Sequence, residues 1–317
     1  MEKLKAKDFE IIHALDFYAR DNINALAKKL KMNKDVFNYR LKRLEKLGVI
    51  QGYYFIPDTT KTGMMSYKIV LKYQSITNEI ESDLLQYLLS INEVGWIAKT
   101  EGTYDLMIIV WFKNEVDFGD FFNTFLSKYG QYLYMRDIIF ITENHALRRD
   151  YLITKFPIMK RDEVFYKGAP KNLCDETDFK ILDFLQQNVR ASNVEISQYI
   201  GLTPEAVRYR IKELVNKGII LTFRPRINLQ KIGYSYYNVM ISLKDVNITP
   251  KIYRYALSNP NITYYVKYLG KYDVGLDIEV QSHTRLRQIL GEIRSLFGKY
   301  IINYDSVQIY DELKITY

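Results

Sequence analysis

Cysteine and histidine are scarce in this sequence. Of its 317 residues only Cys174 is a cysteine, and only His13, His145 and His283 are histidines. A single thiol cannot form a disulfide within the chain, and a zinc site built from cysteine and histidine is not expected either. This usage is typical of a reducing, intracellular compartment. We therefore expect a cytoplasmic protein without a metal and without a cofactor.

Long apolar runs are absent as well. No uncharged stretch approaches the ~18 residues that a membrane-spanning helix needs, so no membrane association is expected. The first residues, MEKLKAKDFEII, mix acids with bases and do not resemble a signal peptide. Hydrophobic residues make up 48% of the chain and charged residues 26%, which is ordinary globular composition. At about 150 residues per domain, the length allows about two folding units, or four small ones.

The positive charge is concentrated in two segments. The net charge is +8, and residues 1–60 hold 12 basic and 8 acidic side chains while residues 171–232 hold 10 and 7. The rest of the chain is almost balanced. A concentrated basic excess predicts contact with a polyanion such as nucleic acid. A solvated basic face is the alternative that charge alone leaves open.

The two basic segments align with each other. A shift of 170 residues places Tyr39-Arg40-x-Lys42 on Tyr209-Arg210-x-Lys212, and a shift of 168 places Gly102-x-Tyr104-Asp105 on Gly270-x-Tyr272-Asp273. We interpret the chain as a tandem duplication, each copy having a basic front part and a neutral back part. The predicted domains are residues 1–60 and 173–230 for the front parts, 61–147 and 231–317 for the back parts, and 148–172 for a connector.

Each front part has the pattern of a winged helix-turn-helix. In the second copy, two short helices precede a third that starts at the N-cap residue Thr203 with Pro204 behind it, and runs to about Asn216. Gly218 ends this helix, and a strand pattern over residues 219–228 carries Arg224 and Arg226. We expect three helices and a two-stranded basic wing, with the third helix entering the major groove of DNA.

The two front parts, which we call the first and the second reader, are unequal. In the first reader the third helix starts at Asn33, and residues 28–46 hold 8 basic and 2 acidic side chains. Its wing, near residues 51–54, is aromatic rather than basic. The first reader is therefore expected to rely on helix charge and the second on wing charge. Three-helix units also serve as plain packing modules, which is the alternative for either copy taken alone.

Each back part has the order strand, helix, strand, strand, helix, strand. Residues 274–280 alternate strictly between apolar and polar, which predicts a strand with one buried face. This order is typical of a ferredoxin-like βαββαβ unit, a fold that hosts many functions. The turns at Gly102–Asp105 and Gly270–Asp273 place a carboxylate after a glycine. Each aspartate is suited either to bind the ammonium of a small ligand or to cap its own turn.

At this point the sequence resembles the Lrp/AsnC (feast/famine) family of transcription regulators. The resemblance rests on the acidic opening of the second reader, Asp175-x-x-Asp178, on its third helix with Val207 and Arg210, and on Gly270-x-Tyr272-Asp273. Both copies carry the resemblance, and together they make up nearly the whole chain. The first copy is the more divergent, with Lys31-Met32-Asn33 in place of Gly-Leu-Thr. The resemblance implies an α+β protein in which two winged helix-turn-helix domains alternate with two ferredoxin-like domains.

The resemblance also implies partners and sites. It implies sequence-specific binding of double-stranded DNA, an amino-acid-like effector bound near the turns, an intrachain pseudo-dimer and further assembly into homo-oligomers. The expected DNA-binding residues are Lys34, Asn38, Tyr39, Arg40, Lys42, Arg43, Thr203, Glu205, Arg208, Tyr209, Arg210, Lys212, Arg224 and Arg226. The expected effector-binding residues are Gly102, Tyr104, Asp105, Gly270, Tyr272 and Asp273. Of the two aspartates, Asp105 is expected to be the better ammonium ligand, because Lys271 stands beside Asp273 and is suited either to pair with it or to supply a cation for a carboxylate.

Two other functions remain open. Sirohaem decarboxylases look like this family and sometimes occur as two-unit fusions, but their chemistry relies on histidines near the tetrapyrrole. Here His13, His145 and His283 align with no histidine in the other copy, so we expect no catalytic residue and no enzyme. A module that assembles without binding DNA is the second alternative.

Overall fold

A computed structural model describes residues 4–153 and 161–316 of the chain. The helices are α1 (Ala6–Leu15), α2 (Ile23–Lys29), α3 (Lys34–Lys46), α4 (Asn78–Ser90), α5 (Glu115–Tyr129), α6 (Glu176–Gln187), α7 (Asn193–Ile200), α8 (Pro204–Asn216), α9 (Thr249–Ser258) and α10 (His283–Phe297). The strands are β1 (Ile50–Pro57), β2 (Met65–Tyr73), β3 (Val94–Glu101), β4 (Leu106–Phe112), β5 (Leu133–Leu147), β6 (Glu163–Lys167), β7 (Ile220–Ile227), β8 (Ser235–Leu243), β9 (Ile262–Leu269), β10 (Val274–Val280) and β11 (Ile301–Ile315).

The third helix of each reader begins and packs as the sequence predicts. The Asn33 side chain accepts a hydrogen bond from the Asp35 N–H, and the Thr203 hydroxyl accepts one from the Ala206 N–H. Each cap satisfies a backbone donor that the first turn leaves unpaired. The buried side chains form one stripe on each helix: Phe37, Leu41 and Leu44 on α3, and Val207, Ile211 and Leu214 on α8.

The wing differs from the expectation of two strands in each reader. Each reader contributes a single strand, and β1 pairs antiparallel with β7 to form one two-stranded sheet, which we call the wing sheet. Tyr54 faces Arg224 in this register, and these two residues occupy equivalent positions in the two halves. The wing sheet therefore lies across a pseudo-twofold axis that relates the halves, because equivalent residues oppose each other there.

The four strands of each back part follow the ferredoxin-like order. One unit has the order β5-β2-β4-β3 and the other β11-β8-β10-β9, with all pairs antiparallel. The last strand of each unit is long and continues into the other unit, so that β5 pairs with β9 and β11 pairs with β3. Eight strands consequently close into a ring, which we call the barrel.

The barrel has one hydrophobic core inside it and two outside. Helices α4 and α5 cover one unit from outside and α9 and α10 the other, each over its own cluster of buried side chains. Every second side chain of these strands points instead into the barrel. There the inward-pointing side chains contact one another, among them Val70, Met107, Met240 and Val307. Strands are therefore buried on both faces, whereas alternation in residues 274–280 predicted a single buried face.

The connector is more than a linker. Its residues 154–160 lie outside the described part of the chain, but β6 pairs with β5, and Arg149 and Arg161 are both buried. The Arg161 guanidinium donates to the carbonyls of Ala256 and Asn259, which belong to the second half. The connector thus fixes the two halves against each other.

Candidate nucleic-acid interface

The outward faces of α3 and α8 carry the side chains that the sequence assigns to DNA. Tyr39 is 69% exposed and its equivalent Tyr209 is 65% exposed. On α3, Lys34 and Lys42 are exposed and Asn38 is half-buried; on α8, Glu205, Arg208 and Lys212 are exposed, as is the cap Thr203. Most of each tyrosine side chain is therefore left uncovered by its own reader. Their exposure leaves both helices available to a partner.

Three of the expected DNA contacts are engaged within their own reader. The Arg40 guanidinium donates to the Asp8 carboxylate at 2.9 Å, and Arg43 lies 3.4 Å from the same carboxylate, which is fully buried. Arg210, equivalent to Arg40, likewise pairs with Asp178 at 2.9 Å and with Asp175 at 2.7 Å. These ion pairs join the third helix to the start of the first. We assign the three arginines to holding that helix in place.

The expectation for Arg224 is corrected by the structure. Its side chain is fully buried, and its guanidinium donates to both oxygens of the equally buried Asp16, at 2.7 and 3.0 Å. Arg149 donates to the same carboxylate and, on its other side, to Glu279. Burial alone would raise the pKa of Asp16, but Arg224 and Arg149 together hold it below its ordinary value. Arg224 joins the readers to the barrel and is not available to DNA.

Arg226 is also turned inward. Its guanidinium donates to the backbone carbonyl of Glu312 on β11, and the side chain is half-buried. The second reader therefore lacks the basic wing that the sequence predicts, and the exposed cations among its expected DNA contacts, Arg208 and Lys212, lie on α8.

The two Gly-x-Tyr-Asp turns meet at the pseudo-twofold axis. The hydroxyl oxygens of Tyr104 and Tyr272 are 2.7 Å apart, and both rings are buried. Each glycine has a positive φ and lies against the last strand of the other unit: a Cβ on Gly102 would sit 3.3 Å from the Ser306 carbonyl, and one on Gly270 would sit 3.2 Å from the Ile138 carbonyl. The glycine and the tyrosine of each turn thus serve the contact between the units.

The aspartate of each turn caps the neighbouring strand. Asp105 accepts the Tyr73 N–H and Asp273 accepts the Leu243 N–H, each at 2.7 Å. Lys72 pairs with Asp105 at 2.7 Å, while Lys271 pairs with Asp137 at 2.8 Å. Asp105 therefore has a lysine partner, which the sequence patterns did not indicate. The geometry accounts for both turns without a ligand.

The three histidines lie on different elements with different partners. His13 bonds to Asp150 at 2.8 Å, the buried His145 contacts Glu143 and Glu163, and His283 contacts the Tyr237 hydroxyl. Within the described ranges no group of three or more His, Cys, Asp or Glu side chains is arranged to hold a metal ion. No helix in those ranges is long and apolar enough to cross a membrane.

The fold and the exposed helices define a protein of the winged helix-turn-helix class, and comparison with known proteins supports this. The pattern of a winged helix-turn-helix DNA-binding family matches residues 175–220. The transcriptional regulator FL11 of Pyrococcus abyssi is 30% identical over 130 residues, which are 39% of this chain and 82% of that protein. The regulator LysM of Saccharolobus solfataricus is 28% identical over 124 residues, 39% of this chain and 86% of that protein.

The chain belongs to the Lrp/AsnC family of helix-turn-helix transcription regulators. Each of these two relatives matches about two fifths of it. Over its whole length the chain is similar in fold to the sirohaem decarboxylase NirDL, with a TM-score of 0.62, 98% of this chain and 93% of that chain covered, and 10% sequence identity. At that identity the likeness concerns the fold alone. The chain is accordingly a DNA-binding transcription regulator with the α+β fold predicted from its sequence.

Proposed function

We propose that α3 and α8 are the DNA-reading helices and that the protein reads a specific double-stranded sequence with both of them. The observation that carries this proposal is the matched exposure of Tyr39 and Tyr209 beside exposed cations on both helices. Base contacts are assigned chiefly to Asn38 and Arg208, because amide and guanidinium groups match the edges of adenine and guanine. Lys42 and Lys212 are assigned to the phosphates.

The assignment is tested by mobility shift on a selected site. Arg208→Ala is expected to relax specificity at one base pair, at about 1–3 kcal/mol of discrimination. Lys42→Ala is expected to weaken binding to all sequences and to lower the salt slope by about 1. Lys180→Ala is the matched control, since Lys180 pairs with Glu176 on the surface of α6. Unchanged binding in both reader variants would exclude these helices as the readers.

We further propose that one chain acts as the dimer of single-unit relatives does. The closed barrel and the shared wing sheet support this, because both join the two halves through paired strands. A pseudo-symmetric dimer of readers addresses half-sites about one helical turn, ~10 bp, or a multiple apart. The faces of α3 and α8 differ in sequence, so the half-sites are expected to differ. DNA as the partner also supports a cytoplasmic location.

The amino-acid-like effector is a proposal supported by family membership. The carboxylates of Asp105 and Asp273 already accept hydrogen bonds from backbone N–H groups, so an ammonium group at either turn has to bind the same carboxylate alongside that N–H. Calorimetric titration of the twenty amino acids against wild type, Asp105→Ala and Asp273→Ala tests this site. Heat that persists in both variants would place the effector elsewhere, and no heat at all would leave the turns as structural caps.

We propose that the chain is not an enzyme, in line with the regulators that it matches in sequence. The whole-chain likeness to a decarboxylase makes the enzyme function worth a direct test. An absorbance titration with an iron-uroporphyrin should show no shift of the Soret band at stoichiometric concentration. A saturable shift accompanied by release of carbon dioxide from sirohaem would overturn this part of the proposal.

A further inference from the structure

The helices that cover the two units of the barrel carry opposite charges. Helices α4 and α5, over one unit, hold six acidic side chains and one basic side chain. Helices α9 and α10, over the other unit, hold five basic side chains and one acidic side chain. We call these two surfaces the acidic face and the basic face. The charge balance of the chain outside its readers therefore conceals two opposite faces.

The change of sign falls on equivalent positions of the two units. By the 168-residue shift, Asp83 on α4 corresponds to Lys251 on α9. By the same shift, Asp117 on α5 corresponds to Arg285 on α10. A dimer of identical one-unit chains would place the same charge at both members of each pair. Opposite faces of this kind therefore require a chain with two different units.

Most of these charges are exposed and have no ionic partner on their own chain. Among the described residues, no ion pair is made by three exposed acids of the acidic face, Glu79, Glu115 and Asp120. Within the same ranges, none is made by four exposed cations of the basic face, Lys251, Arg254, Arg287 and Arg294. Like charges that share a surface repel one another, and a surface of opposite charge relieves that repulsion. Each face therefore suits a partner of the opposite sign.

Each face is one continuous surface made of two helices. Asp83 of α4 accepts the Tyr129 hydroxyl, at the end of α5, at 2.7 Å. Tyr255 of α9 donates to Glu292 of α10 at 2.6 Å. The two faces cover the outsides of different units, so they have no access to each other within one chain. Their complementarity is available only between chains.

We propose that the acidic face of one chain binds the basic face of a second copy. Both surfaces belong to the same molecule and carry charges of similar size and opposite sign, so a second copy satisfies both at once. DNA, in contrast, suits the basic face alone and is repelled by the acidic face. Contact between unlike faces is heterologous, and chains therefore join head to tail until a ring closes or a filament grows. The contact rests on the difference between the units and not on the proposed reading of DNA.

Sedimentation velocity of the full chain, without DNA, tests the inference. At low ionic strength wild type should form species larger than one chain. These should dissociate toward 1 M salt, where exposed charges are screened within about 3 Å. Two variants neutralise one face each: the acidic-face variant combines Glu79→Gln, Glu115→Gln and Asp120→Asn, and the basic-face variant combines Lys251→Gln, Arg254→Gln and Arg287→Gln. Each variant alone should associate at least tenfold more weakly than wild type.

A mixture of the two variants gives the sharpest readout. The acidic-face variant keeps an intact basic face, and the basic-face variant keeps an intact acidic face. One contact of the wild-type kind is therefore left, and we expect pairs of chains that grow no further. The matched control removes three exposed cations from the first reader and should sediment as wild type does; it combines Lys28→Gln, Lys31→Gln and Lys46→Gln. Circular dichroism checks the folding of every variant.

Four outcomes would overturn the inference. Wild type that stays a single chain at every concentration and salt would exclude the contact. Larger species that persist in both variants would assign assembly to another surface, and loss without recovery in the mixture would show that the two faces do not bind each other. A basic-face variant that sediments as wild type does but binds DNA more weakly would assign the basic face to DNA. Because the sedimentation contains no DNA, its result does not depend on whether the readers bind DNA.

Discussion

Asp16 is the residue through which the first reader, the connector and the wing sheet are joined. Its carboxylate, at the end of α1, accepts hydrogen bonds from Arg224 of β7 and Arg149 of the connector. Arg149 continues to Glu279 on β10. The attraction within a buried ion pair is largely offset by the cost of removing both charges from water. Removing one member of the pair is nevertheless destabilising, because it leaves a buried charge without compensation. The network therefore constrains how the readers sit on the barrel.

Removing one member of this network is expected to destabilise the folded chain. Arg224→Met should lower the free energy of unfolding by about 3–5 kcal/mol, because it strands the Asp16 carboxylate beside a single cation. Urea denaturation followed by circular dichroism measures the change. Arg208→Met, on the exposed face of α8, is the control and should stay within about 0.5 kcal/mol of wild type. Equal stability of the two variants would contradict the role given to Arg224.

The same carboxylate predicts a dependence on pH. The pKa of Asp16 in the folded chain lies below its ordinary value of 3.8, so its contribution to stability is present above about pH 4 and is lost as the pH falls further. The difference in unfolding free energy between wild type and Asp16→Asn should therefore shrink on acidification below pH 4. A difference that stays constant from pH 6 to pH 3 would show that the charge of Asp16 does not matter.

At the scale of elements, the two strands of the wing sheet are exchanged between the readers. Phe55 of β1 is buried in the core of the second reader together with Leu185 and Val207. In the same way Ile227 of β7 is buried in the core of the first reader together with Phe37. Neither reader has a complete core without a strand from the other half. The exchange explains why each copy has one wing strand where the sequence predicts two.

The exchange predicts that core substitutions act on the opposite reader. Phe55→Ala should cost about 3–5 kcal/mol and should lower amide-exchange protection in α6 to α8 while sparing α1 to α3. Ile227→Ala is the matched reciprocal variant and should do the reverse. Hydrogen exchange with mass spectrometry resolves the two readers. Loss of protection in the reader that carries the substitution would contradict the exchange.

The sequence predicts the parts of this fold that depend on near neighbours. Asn33 and Thr203 mark helix starts because a cap bonds to an amide two or three residues away. The partner of Phe55 lies in the other half, and no local pattern indicates it. The sequence patterns did not indicate Lys68. Lys68 and Asn238 occupy equivalent positions in the two halves and are in contact inside the barrel. Aligning the halves reveals that a charged residue in one half stands where the other has a neutral one.

The prediction for Arg224 failed for a related reason. A basic residue in a wing is usually exposed, and the sequence does not show that Asp16 and Arg149 surround this one. Asp277 illustrates the same limit. Alternation in β10 suggested a solvated face, whereas Asp277 contacts the buried Asn238 inside the barrel. Both errors concern side chains that are covered by residues distant in the sequence.

In the whole molecule, the two halves of the regulator have one framework and different surfaces. The barrel and the wing sheet place equivalent residues on opposite sides of one axis, as Tyr104 and Tyr272 show. The faces of α3 and α8 differ between the halves. We therefore expect a nearly symmetric framework to recognise an asymmetric DNA site.

The most direct test of the central claim is selection of binding sequences from random double-stranded DNA with the full chain. We expect one enriched site made of two different half-sites about 10 bp, or a multiple of that distance, apart. In the Arg208→Ala variant, preference should relax at one position of a single half-site, with the other unchanged. A strictly palindromic site would contradict the unequal readers, and the absence of any enriched sequence would contradict specific DNA binding.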